Sequence, residues 1–203
     1  MARQQATIWG TFRCPNTAKM DLAITTLNAF LVQNGADSLP NDGDDERVVF
    51  ATEDDGAERV TLNLDVMVHD YDRSDIQLLE TGLSDLVSEP SYLTLDNYDT
   101  GDSESRRTPI LLGNPAEARI LFAVSELEEC ISMSADARAR IIEVLRADSN
   151  RTDQTVATET AETLGLDTDG LRLCREFVAS APNATLFRGY YGCGDEGAAE
   201  DVV

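Results

Sequence analysis

Carboxylates run through the whole of this sequence, and any fold it adopts must hold them together against their mutual repulsion. There are 38 acidic and 16 basic residues in 203, for a net charge of −22. Residues 1–110 carry −13 and residues 111–203 carry −9, so the excess is not a tail. Charge confined to a block reads as a disordered arm, whereas charge spread along a chain reads as a surface matched to its solvent. At ordinary ionic strength such self-repulsion weakens a compact state. In roughly 1 M salt the screening length falls to about 3 Å and the repulsion fades. Of the basic residues, 15 are Arg and only Lys19 is Lys. This composition resembles the cytoplasmic proteins of extreme halophiles, and the expectation is a salt-in archaeon or one of its viruses. With 42% hydrophobic residues the chain still has enough apolar surface for a core.

No stretch approaches the roughly 18 consecutive apolar residues of a membrane span. Arg3-Gln4-Gln5 leads into a strand-like segment and not into the apolar core of a signal peptide. The expected location is therefore the cytoplasm, or a virion if the chain is viral. Cys14, Cys130, Cys174 and Cys193 lie far apart with no paired spacing, so four free thiols are expected, and no metal site or cofactor.

Residues 1–113 alternate between strand-like and helix-like patterns. Ala6 to Arg13 reads as a strand, and Pro15-Asn16-Thr17 ends it and opens a helix bearing Met20, Ile24, Leu27 and Leu31. Arg47 to Thr52 and Glu58 to Val68 read as a hairpin around Asp54-Asp55-Gly56. Ser74-Asp75-Ile76-Gln77 has the form of a capping box before a helix carrying Ile76, Leu79, Leu83 and Leu86. Ser91 to Leu95 and Thr108 to Leu112 complete the set as strands. The order β-α-β-β-α-β resembles the ferredoxin-like split βαβ sandwich, within an α+β fold.

After Gly113 the composition turns to helix formers, which places a helical domain at 114–191 and an acidic tail at 192–203. Asn114-Pro115-Ala116-Glu117 supplies a cap and a Pro at the first helical position. A second helix follows Ser134, with Ile141, Val144 and Leu145 inward and Arg138, Arg140 and Arg146 outward.

Within Thr155 to Val178, Ala161 stands four residues before Gly165, and Leu171 and Cys174 follow it. This segment resembles a helix-turn-helix, in which a small residue allows close helix approach and a glycine makes the turn. The resemblance implies that the helix from Asp167 to Ser180 faces double-stranded DNA through Thr168, Arg172 and Arg175. A plain helical hairpin, with Gly165 as a C-cap and Asp167 as an N-cap, fits the same residues.

No nucleophile set, phosphate loop or dinucleotide fingerprint is present, so no catalytic residue is assigned. His69-Asp70-Tyr71-Asp72-Arg73-Ser74-Asp75 gathers the single His with three carboxylates, and reads first as a helix start rich in Asp. Arg106-Arg107 reads as a solvated loop tip. The expected function is a non-enzymatic, DNA-associated regulator whose sandwich serves dimerisation or ligand sensing. The alternative is a structural or assembly protein of a virus or large complex, so a homo-oligomer or protein partner is expected on either account.

Overall fold

The β-branched and aromatic residues Thr7, Ile8, Trp9, Thr11 and Phe12 favour extended chain and make β1 (Gln5–Cys14) a strand. Ala6, Ile8, Phe12 and Cys14 are buried, while Thr11 and Arg13 are exposed. In the computed structural model, residues 5–39, 48–52, 58–69, 71–98, 106–130 and 133–147 are described. Asn16 keeps extended backbone angles and its side chain accepts from the Lys19 backbone N at 2.9 Å, which starts α1 (Thr17–Gln33). Met20, Ala23, Ile24, Leu27, Phe30 and Leu31 form the buried stripe of α1 at helical spacing. Gly35, at φ 70°, occupies the left-handed conformation that ends a helix without a Cβ clash.

The strands β2 (Val48–Thr52) and β3 (Glu58–His69) pair as an antiparallel hairpin, with Thr52 opposite Glu58. Along β3, Val60, Leu62, Leu64 and Val68 are buried and Asn63, Asp65 and Met67 are exposed, the alternation that a half-covered sheet requires. The helix α2 (Arg73–Ser84) opens two residues earlier than the sequence pattern suggests. Its N-cap is Asp72, whose carboxylate accepts from the Ser74 and Asp75 backbone N–H groups, and Asp75 reaches back to the Asp72 N–H. The box is thus made by two aspartates and not by Ser74 and Gln77. Ile76, Leu79, Leu83 and Leu86 are all buried. Tyr71, just before this cap, donates its hydroxyl to the Asn97 side chain and so fastens the turn to the next strand. Burial raises the pKa of that phenol.

β4 (Ser91–Tyr98) and β5 (Arg106–Leu112) complete a five-stranded sheet of order β2-β3-β1-β4-β5, antiparallel at every pairing. The fold is α+β. Helices α1 and α2 pack on each other and against the sheet, and a single core joins Ile8, Phe12, Leu27, Leu62, Leu83 and Leu93. Burying each such side chain contributes roughly 1.5–3 kcal/mol. At the β5 edge Pro109 has no N–H, and the Leu111 N–H donates to the Glu80 carboxylate at 2.9 Å. A proline and a bonded carboxylate blunt the hydrogen-bonding edge of this strand.

By internal contacts the chain divides into two units, Met1–Arg119 and Ile120–Val203. The division falls inside α3 (Pro115–Cys130), while the composition break lies at Asn114-Pro115. Asn114 caps α3, its side-chain oxygen accepting from Ala116 and Glu117 N–H. Ile120, Ala123, Val124 and Leu127 are buried along it. Ser134 caps α4 (Ala135–Ala147) through a 3.2 Å bond from the Ala137 N–H, and Ile141, Ile142 and Leu145 are its buried residues. Arg138 bonds to Glu128 at 2.9 Å, tying α4 to the end of α3. The helix-turn-helix-like segment 155–178, with Thr168, Arg172 and Arg175, lies outside the described residues, as does the tail. Among the described residues no helix is long and apolar enough to cross a membrane.

Candidate functional site

Three regions gather the side chains able to do chemistry or recognition. The first surrounds His69 at the end of β3. Its backbone N–H donates to the Asn34 carbonyl at 2.9 Å, and it lines an open cavity of about 480 Å³ with Gly35, Asp37, Ser38 and Met67. The neighbouring carboxylates are committed elsewhere. Bonds from the Ser74 hydroxyl and from the Asp75 and Ser74 backbone lower the Asp72 pKa, as expected of a helix cap. Asp75 receives the Asp72 N–H on one oxygen and the Gln33 amide at 3.0 Å on the other. Asp70 lies outside the described residues. Among those described, no group of three His, Cys, Asp or Glu side chains is placed to hold a metal ion.

The second region is on the sheet face opposite the helices. Register sets Asp96 beside both Thr7 and Arg107, and Trp9 beside Thr94. The Arg107 guanidinium lies over the Trp9 ring, 5.3 Å from its centroid, with Nε 3.4 Å from Asp96 Oδ2. Both charged side chains are largely covered, at 16% and 9% exposure. Arg107 is therefore a strand residue stacked on an aromatic and paired to an acid, and not a solvated loop tip. For a covered pair of this kind, the cost of desolvating both charges offsets much of their attraction. Nothing local in the sequence signals a role for Trp9, whose partner becomes visible only once β1, β4 and β5 are paired.

The third region is the outer surface of the helical layer. Leu22 is 54% exposed, Val32 64% and Leu78 69%. Between α1 and α2 a groove of about 360 Å³ is lined by Thr25, Thr26, Ala29, Phe30, Leu78 and Leu79, and the Gln33–Asp75 bond closes one end. The Thr25 and Thr26 hydroxyls donate back to the Asp21 and Leu22 carbonyls at 2.8 and 2.9 Å. Their polar atoms are thereby spent inside the helix. At Gly82 the two helices approach so closely that a Cβ would lie 2.8 Å from Thr26 Cγ2. Residues 22–36 form the longest run of the sequence with no charged side chain. Periodicity exposed the inner stripe of α1; the absence of charge was the signal for its outer one.

No family model matches the chain, and neither a curated protein nor a solved structure is similar to it.

Proposed function

We propose that this chain is a non-enzymatic association protein of a halophile, built on a ferredoxin-like sandwich and working through its helical layer. The observation that carries this reading is an exposed, uncharged helix surface on a chain of net charge −22. Exposed apolar patches mark interaction sites, and this one contradicts the charge pattern of the rest of the molecule. The order β2-β3-β1-β4, with helices after β1 and β3, supports the sandwich assignment, and β5 is then an added edge strand. The near absence of Lys beside 38 acidic residues supports the halophile, and hence a cytoplasmic protein or a virion component.

Two forms of association remain as proposals. The helix-turn-helix-like pattern at 155–178 favours a DNA-associated regulator, with Thr168, Arg172 and Arg175 facing the duplex and the sandwich supplying a partner interface. In molar salt such contacts rely on hydrogen bonds and shape, because the counterion-release contribution is small. The acid excess favours the second form, an assembly protein of a virus or large complex.

The test is electrophoretic mobility with fragments of the gene's own upstream region, alongside purification from the native host. A regulator shifts the fragment and loses sequence preference when Arg172 or Arg175 is changed to Ala. An assembly protein leaves DNA unshifted and co-purifies with a particle or complex. A chain that does neither is not an association protein of either kind.

A further inference from the structure

We infer that the outer face of α1 binds a second copy of this chain, the two α1 helices lying antiparallel across a two-fold axis. The inference rests on the association reading and names its partner. Leu22, Thr25, Ala29 and Val32 are exposed along this face. Their separations of three, four and three residues place them within one narrow stripe of the helix.

The stripe is symmetric about the level of Leu27. Reversing one helix against the other sets Leu22 against Val32 of the second copy, and Thr25 against its Ala29. Large aliphatics meet at both ends and small side chains meet at the centre, where close approach is needed. A surface that complements itself on reversal is what an isologous two-fold contact requires. The same reversal sets Asp21 opposite Gln33, so no carboxylate meets another within the stripe.

Charge selects a second copy over other occupants. Two chains of −22 repel over most of their surfaces and can meet only where carboxylates are missing. Residues 22–36 are the longest such stretch. A basic partner would gain its attraction from the acidic surfaces and nothing from this one. The α1 helix is about 25 Å long at 1.5 Å per residue, so the stripe alone buries less than the roughly 800 Å² per partner of a standard interface. Leu78 and the groove beside it extend the face. Association should therefore be modest, and should tighten with salt as repulsion is screened and apolar burial strengthens.

Sedimentation equilibrium of the full chain across a salt series reads this directly. The 22.2 kDa chain should reach twice that mass in molar salt. Leu22→Glu and Val32→Glu, both on exposed positions, should each weaken dimerisation tenfold or more with circular dichroism unchanged. Leu22→Glu combined with Val32→Arg, measured at the lowest salt that retains the fold, should associate more tightly than Leu22→Glu alone. Those two residues are too far apart to pair within one helix, so that recovery reports the antiparallel contact.

A wild-type chain that stays at 22.2 kDa throughout overturns the inference, while a DNA shift or a co-purifying particle would leave the association reading standing. A dimer indifferent to both glutamates uses another surface and overturns it as well. A double variant no tighter than Leu22→Glu alone overturns the antiparallel arrangement.

Discussion

Helix α1 and helix α4 bury similar interiors and show opposite exteriors. Leu27 and Leu31 of α1 are fully covered, as are Ile141 and Leu145 of α4. On the outside, α4 carries Asp136, Arg140, Glu143 and Arg146, whereas α1 carries Leu22, Thr25, Ala29 and Val32. The first is the exterior of a helix that meets water. The second has the chemistry of an interior on a surface that, in the single chain, has nothing over it among the described residues. In a protein whose solvation depends on carboxylates, a helix face without them has a different use.

The largest test of this contrast asks whether the interiors are as alike as they look. Leu27→Ala and Leu145→Ala should each cost roughly 2–5 kcal/mol, the range for emptying a covered leucine site. Thermal unfolding in molar salt measures both, and a Leu145→Ala variant as stable as wild type would mean α4 has no true interior. A smaller effect belongs to the helix pair that shapes the α1 groove. Gly82→Ala should push α2 off Thr26, and overpacking set against better helix propensity leaves a net loss of about 1 kcal/mol. Thr26→Ser removes the obstructing methyl and should restore most of that stability, whereas a double variant as weak as Gly82→Ala would place the contact elsewhere.

Smaller still is the ion pair that holds the charged exterior of α4. Arg138→Ala should cost about 0.2–1 kcal/mol at the lowest salt that retains the fold and nothing measurable in molar salt. A double-mutant cycle with Glu128→Ala separates the pair from the packing of the arginine stem. Nil at neutral pH, the last effect is confined to alkaline solution. Burial pushes the Cys14 thiol up to about 11 from its ordinary 9.0, with Lys19 partly offsetting it. A raised pKa means that the unfolded chain releases its proton first. Stability from this group is therefore intact below pH 9 and declines between about 9 and 11. Cys14→Ala should flatten that decline, and a slope unchanged by the substitution would assign it to another group.

Much of this architecture could be read from residue order, and the shortfalls have physical causes. Alternation along residues 60–68 and the 3–4 spacing of Met20, Ile24, Leu27 and Leu31 reflect burial directly, so β3 and α1 were legible. The start of α2 is ambiguous by two residues in the sequence because Asp72 and Ser74 are both good caps. Only the hydrogen bonds of the folded turn distinguish them. Arg107 looked like a loop residue beside Ser and Asp neighbours, since pairing with Asp96 and Trp9 crosses from β5 through β4 to β1. At the candidate interface, sequence revealed which α1 residues turn inward. Exposure of the remainder had to come from the packed helices.

The amino-acid sequence by itself determined the net charge, the alternation of strand and helix, and the placement of caps at Asn16, Asn114 and Ser134. These follow from side-chain chemistry and local periodicity, which act over a few residues. The tertiary structure decided the strand order, the burial of Arg107 between Trp9 and Asp96, and the isolation of Leu22, Val32 and Leu78 on one outer surface. Each of those depends on segments distant in sequence coming together, and local propensity carries no information about which distant segment arrives.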